Sequence, residues 1–98
     1  MLVTSGVAAS LIVLTNGIYV LYSENGETCL NVQFAEGDNG RVVIDTADGE
    51  PNESWVVSND IFGNLTIRPL HAQNCYLSGE NGFDQPLVIK QGDRKSVV

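Results

Sequence analysis

The sequence predicts an all-β protein, and three observations support that prediction. Short runs rich in β-branched and aromatic residues recur along the chain, turn residues separate them, and apolar residues do not repeat at helical spacing. The runs are SLIVLT, GIYVLYS, TCLNVQF, RVVIDTA, SWVVS, LTIRPL, CYLS, PLVIK and SVV. We therefore expect about nine short strands, folded as a sandwich or a barrel.

Turn signals mark the junctions between these runs. Asparagine, aspartate and glycine tolerate the positive φ that tight turns require. The signals are Asn16-Gly17, Asn25-Gly26, Asp38-Asn39-Gly40, Asp48-Gly49, Asn81-Gly82 and Gly92-Asp93. The run SWVVS carries the only tryptophan, Trp55, followed by two valines, and we expect this indole to be buried in the core.

Composition indicates one folded domain, residues 1–98. The chain is 43% apolar and 17% charged, with five Lys and Arg residues and a net charge of −7. Nucleic acid and anionic membranes are therefore not expected as partners, because phosphate groups need clustered basic residues. The apolar stretch at residues 7–14 is too short to cross a bilayer and lacks the basic start of a secretory signal.

A repeat of 46 residues organises the chain. Gly17 and Gly63 are separated by this spacing, and so are Cys29 and Cys75. GIYVLYSENGETCLN then lies over GNLTIRPLHAQNCYL, and after a one-residue slip RVVID lies over PLVIK. The prediction is a first unit at about residues 17–62, a second unit at about 63–98 and a leading strand at 10–16.

The order of motifs in the first unit resembles the repeat of β-trefoil proteins, in particular ricin-B-like lectins and fungal β-trefoil protease inhibitors. The matching stretches are Cys29-Leu30-Asn31-Val32, Arg41-Val42-Val43-Ile44 and Glu53-Ser54-Trp55. The resemblance implies a β-trefoil-like barrel, of which two units and a leading strand make about two thirds. Either the chain is shortened or its unpaired strand edges associate with another copy, and we favour a homo-oligomer.

The lectin resemblance implies a sugar site in the first unit. Asn31 stands where the family has an aspartate after the Cys-Leu pair, Asp45 where it has a stacking aromatic, and Asp48 where it has an asparagine. The stacking face is therefore expected to be missing. Leu77 and Lys90 fall at the first two positions of the second unit.

The inhibitor resemblance implies a loop inserted into a protease active site, and we favour this function over sugar binding. A basic residue at a loop tip would suit the acidic pocket of a trypsin-like protease. The candidates are Asp93, Arg94 and Lys95 in the loop 91–96, Asn39 and Arg41 in the loop 36–41, and Asn25 in the turn 23–27. A structural unit that only self-assembles is a further alternative.

The cysteines predict a reducing compartment. Cys29 and Cys75 occupy equivalent places in neighbouring units, and Ala47 stands where the lectin resemblance would place a disulfide partner. Two free, buried thiols are expected, so the predicted location is cytoplasmic, with secretion as the alternative.

Catalytic chemistry is not expected. The single histidine, His71, is predicted to be a solvated loop residue, and one histidine cannot form a two-histidine metal site. The acidic residues are expected to cap and solubilise turns; they are Glu24, Glu27, Glu36, Asp38, Asp45, Asp48, Glu50 and Glu53. The sequence thus predicts a non-enzymatic binding module without metal or cofactor.

Overall fold

The computed structural model describes residues 15–82 and 84–96, and these residues form seven strands. The strands are β1 (Gly17–Val20), β2 (Thr28–Val32), β3 (Val42–Thr46), β4 (Ser54–Asn59), β5 (Leu65–Pro69), β6 (Cys75–Ser78) and β7 (Val88–Gln91). Short 3-10 turns lie at Gln33–Ala35 and Pro51–Glu53, and no α-helix occurs in the described ranges. The all-β prediction is confirmed. Residues 10–14 of the predicted leading strand and the last two residues of SVV lie outside the described residues, and Thr15 and Asn16 are not in a strand.

Three small antiparallel sheets make up this part of the chain. One contains β1, β4 and β5 in that order, and the hairpins β2–β3 and β6–β7 form the other two. The pairings within residues 15–82 and 84–96 do not close these sheets into one barrel. None of the described residues forms a helix long and apolar enough to span a membrane.

One hydrophobic core joins the three sheets. In β4 the side chains alternate, so Trp55 and Val57 are buried while the last two residues of the strand are exposed. Every strand from β2 to β7 contributes to the same cluster, whose buried members are Leu30, Val32, Val42, Trp55, Val57, Ile67, Cys75, Leu77 and Ile89. Trp55 is 0% exposed, which confirms its predicted place in the core.

The two hairpins repeat the same strand register. Cys29 pairs with Asp45 in the first hairpin, and Cys75 pairs with Gln91 in the second, each residue 46 positions after its counterpart. The remaining pairs of β6–β7 follow the same spacing. The predicted one-residue slip is therefore wrong, because Gln91 rather than Lys90 is the counterpart of Asp45.

Ser96 returns the chain to β5. Its backbone N–H donates to the Leu65 carbonyl at 2.8 Å, and its hydroxyl accepts from the Ile67 N–H at 2.8 Å. In the first unit Ser54 begins β4 opposite Val20 of β1. Both serines thus lie beside the first strand of a unit, although the 46-residue spacing does not relate them.

The loop between β2 and β3 fastens the two hairpins together. The Asn39 N–H donates to the Ile89 carbonyl at 2.8 Å, and the Val42 N–H donates to the Leu87 carbonyl at 2.9 Å. Glycine is required at position 40, because a Cβ there would lie 2.8 Å from the Gly37 carbonyl oxygen and 2.9 Å from a Val32 methyl group. The close approach of the two hairpins therefore depends on Gly40.

Candidate functional site

An open cleft of about 540 Å³ lies against the first hairpin. The strands β2 and β3 supply one part of its wall, the two 3-10 turns supply the rest, and His71 reaches in from the loop between β5 and β6. Among the described residues, the wall contains four carboxylate side chains and no Lys or Arg. The cleft is therefore acidic, and the phenyl ring of Phe34 and the imidazole ring of His71 also line it.

The three residues predicted as sugar ligands all line this cleft. They are Asn31 on β2, Asp45 on β3 and Asp48 in the loop that follows β3. Asn31 is only 6% exposed, and its side-chain amide has no hydrogen-bond partner within the described residues. The amide groups of Asn31 are therefore not used within the described residues and can pair with a ligand that enters the cleft.

Glu53 forms the floor of the loop that carries Asp48. Its carboxylate accepts the Asp48 N–H at 2.8 Å and the Gly49 N–H at 3.0 Å, and the side chain is 3% exposed. Gly49 has a φ of 82°, which suits glycine and aims its N–H at this carboxylate. Glu53 therefore caps its turn, as expected, but it is a buried acceptor that shapes the cleft and not a solubilising surface group.

The same contacts shift the acidity of both carboxyl groups. Burial pushes the pKa of Glu53 upward, but the hydrogen bonds from Asp48 and from the two N–H groups outweigh burial, so the pKa of Glu53 lies below its usual range. The hydrogen bond with Glu53 raises the pKa of Asp48. Asp48 is thus held to Glu53 through its backbone N–H.

Phe34 supplies an aromatic ring that the sequence interpretation did not expect in the site. It lines the cleft from the 3-10 turn Gln33–Ala35, and 82% of it is exposed. Its φ of 57° lies in the left-handed region that non-glycine residues rarely adopt. Asp45 has no aromatic ring, as the sequence shows. An exposed aromatic ring nevertheless lines the cleft at Phe34, three residues after Asn31.

His71 lies in a loop, as predicted, but it is only partly exposed to solvent. Its Nε2 lies 2.7 Å from the Glu36 carbonyl oxygen, whereas its Nδ1 is inaccessible to solvent and has no hydrogen-bond partner. Nearby, the Asn52 amide nitrogen donates to the Val32 carbonyl at 2.8 Å. The His71 contact holds the loop between β5 and β6 against the loop that follows β2. The Asn52 contact holds the turn before β4 against the end of β2.

The predicted inhibitory residues lie in three separate loops. Asn25 closes its own turn, since its side-chain oxygen accepts the Ser23 hydroxyl and the Glu27 N–H, each at 2.8 Å. Asn39, with a φ of 69°, accepts a hydrogen bond from the Lys90 ammonium group. Arg41 bridges to Val88 and is exposed. The loop 36–41 therefore lies beside β7, and no hydrogen bond between described residues joins it to Asn25.

The loop 91–96 has a fixed base and exposed basic residues. The Arg68 guanidinium donates to the Gly92 carbonyl at 2.9 Å and to the Asp93 carboxylate at 3.1 Å. The Arg94 side chain is 74% exposed and lies 3.6 Å from a Glu80 carboxylate oxygen. Lys95 is exposed as well. Arg68 thus anchors the loop while Arg94 projects from it.

Both cysteines are free and buried, which confirms the prediction. Burial and the nearby Glu53 carboxylate raise the pKa of Cys29 to about 11. Burial also raises the pKa of Cys75, despite the Arg68 charge that acts in the opposite direction. Neither thiol is a ready nucleophile at neutral pH, because the thiolate is the reactive form.

No cluster of potential metal ligands is found among residues 15–82 and 84–96. No family model, curated protein or solved structure matches the chain. The function therefore has to be inferred from the chemistry of the cleft and of the loops.

Proposed function

We propose that this chain is a non-enzymatic carbohydrate-binding module and that the cleft beside the first hairpin is its sugar site. The observation that carries the proposal is Asn31, a largely buried residue on the wall of an open cleft whose side-chain amide forms no hydrogen bond within the described residues. Sugar hydroxyl groups can donate to and accept from such an amide. The exposed ring of Phe34 offers the apolar face on which a pyranose can stack.

The finer fold that we propose is a partial β-trefoil. Three features support it: β1 pairs with β4, β4 pairs with the first strand of the second unit, and the two hairpins share one register at a spacing of 46 residues. Two units leave about a third of a trefoil to be supplied. Self-association through open strand edges would supply it, and a cytoplasmic location would keep the thiols reduced.

Binding to a glycan array tests the sugar proposal. The wild-type chain is expected to bind a restricted set of glycans, and Asn31→Leu is expected to lose at least about tenfold in affinity because the amide is removed. The matched control is Gln91→Leu on the second hairpin, which should leave binding unchanged. The proposal is wrong if no glycan binds, or if both variants bind as wild type does.

Protease inhibition is the second candidate, and the anchored loop 91–96 favours it. Arg68 holds the base of the loop, and Arg94 extends into solvent, as a residue that enters the acidic specificity pocket of a trypsin-like protease must do. Stoichiometric inhibition of trypsin is expected, lost in Arg94→Ala and retained in Arg41→Ala. Full trypsin activity in the presence of excess wild-type chain would exclude this candidate.

A further inference from the structure

The charge of the cleft indicates which sugars it can accept, an inference that rests on the proposed function. Asp45 and Asp48 line the same cavity as Asn31, together with Glu50 and the buried Glu53. No lysine or arginine lines the cleft. A ligand with a carboxylate, such as a uronic acid, would be repelled, and a ligand with a positive charge would be attracted.

The ring at the mouth of the cleft favours the same charge. Phe34 is 82% exposed and lines the cleft that Asp45 and Asp48 also line. A cation over an aromatic face is stabilised by the ring quadrupole, and an ammonium group also forms strong hydrogen bonds with carboxylates. One positive group on a ligand would therefore be stabilised both by the ring of Phe34 and by the carboxylates of Asp45 and Asp48.

The polar groups of the wall point to a sugar ring as the carrier of that charge. Asn31 is more than nine tenths buried, and its side-chain amide has no hydrogen-bond partner within the described residues. The Thr46 side chain also lines the cleft. A simple amine could satisfy the carboxylates but would leave the Asn31 amide unpaired.

We propose that the cleft selects amino sugars with a free ammonium group over neutral sugars. Asp45 and Asp48 would receive the ammonium group, Asn31 would bind ring hydroxyl groups, and Phe34 would cover one face of the ring. N-acetylation of the sugar removes the charge and should remove the preference with it.

The test compares matched monosaccharides at about pH 6.5, where an amine of this kind is largely protonated. Binding of glucosamine, glucose, N-acetylglucosamine and glucuronic acid is measured by NMR titration, in parallel with galactosamine and galactose. We expect at least one amino sugar to bind about tenfold more tightly than its neutral partner, glucuronic acid not to bind, and added salt to shrink the preference.

Variants separate the charge from the rest of the site. Asp45→Asn and Asp48→Asn, alone and combined, should reduce the ratio of the affinity for the amino sugar to the affinity for its neutral partner. Glu24→Gln, an equal charge change in the exposed turn 23–27, should not change that ratio. Both aspartates are exposed, so their variants should fold, which thermal unfolding checks.

The outcomes distinguish this inference from the proposed function. Equal binding of amino and neutral sugars overturns the inference and leaves the sugar site standing. Binding of L-lysine as tight as that of the amino sugar also overturns it, because charge alone would then explain recognition. If no sugar binds and Asn31→Leu changes nothing, both the inference and the proposed function fail.

Discussion

The two hairpins of this protein pair their strands in the same register but carry different side chains at equivalent places. The cleft lies against the first hairpin, where Asn31 and Asp45 face it, whereas the equivalent residues of the second hairpin are Leu77 and Gln91. Leu77 is 1% exposed and belongs to the core cluster. The same strand pairing thus carries residues that line a cleft in the first unit, whereas in the second unit Leu77 packs into the core.

The turn before the fourth strand differs between the units in the same way. In the first unit Glu53, one residue before Ser54, folds the loop 48–49 onto itself and shapes the cleft. In the second unit the residue before Ser96 is Lys95, which is exposed. The cleft beside the first hairpin thus depends on a buried acceptor that arranges the loop as well as on the strand register.

Exchanging Leu77 and Asn31 between the hairpins should give the largest effect. Leu77→Asn removes apolar packing and buries an amide, so we expect the free energy of unfolding to fall by about 3–5 kcal/mol. Asn31→Leu should lie within about 1 kcal/mol of wild type, because it removes an amide that has no partner in the described structure. Urea unfolding of both variants measures this difference, and equal losses would show that the hairpins are energetically equivalent.

Removal of the buried acceptor should have the next largest effect. Glu53→Ala leaves the N–H groups of Asp48 and Gly49 without their acceptor, and we expect a loss of about 2–3 kcal/mol. Lys95→Ala, at an exposed position of the second unit, should change stability by less than about 0.5 kcal/mol. Both are measured by urea unfolding at neutral pH; a Glu53→Ala variant as stable as Lys95→Ala would contradict the role of Glu53.

The cysteines provide the smallest and most local comparison. The folded-state pKa of Cys29 is about 11, against an ordinary value of 9.0, so the unfolded chain releases this proton first as the pH rises. The contribution of Cys29 to stability is complete below pH 9.0 and is lost between pH 9.0 and about 11. We therefore expect Cys29→Ala to reduce the alkaline loss of stability in that interval.

The charge of Glu53 should affect the pKa of Cys29 in the first unit but not the pKa of Cys75 in the second. In Glu53→Gln the negative charge beside Cys29 is removed, so the thiol pKa of Cys29 should fall, as followed by thiolate absorbance in a Cys75→Ala background. The thiol of Cys75, which lies near Arg68 and Asp38 instead, should not respond in a Cys29→Ala background. An equal response of both thiols would show that the two environments are not distinct.

The sequence predicted the strands well because their signals are local. Alternation in β4 and the turn residues between runs depend on neighbours in the chain, and the repeat followed from the spacing of Cys29 and Cys75. The three predicted sugar ligands converge on the cleft for a related reason, since Asn31 and Asp45 lie on paired strands.

The remaining parts of the site depend on contacts that no local pattern reports. The sequence predicts Phe34 in a strand, but its backbone is in the left-handed conformation, and in this conformation its side chain lines the cleft. His71 belongs to the site through its 2.7 Å contact with the Glu36 carbonyl, across 35 positions of sequence. Glu53 is a charged residue next to a turn, a pattern typical of the surface. Its burial and its role as an acceptor depend on how the loop that carries Asp48 folds over it.

Trp55 gives this molecule an intrinsic optical probe. Its indole N–H donates to the Leu30 carbonyl at 2.9 Å, and Leu30 immediately precedes Asn31 on the strand that walls the cleft. Because the chain has a single tryptophan, its emission arises from this one environment. A ligand that shifts β2 would change the colour or intensity of that fluorescence without any attached label, and unfolding would move the emission to longer wavelength.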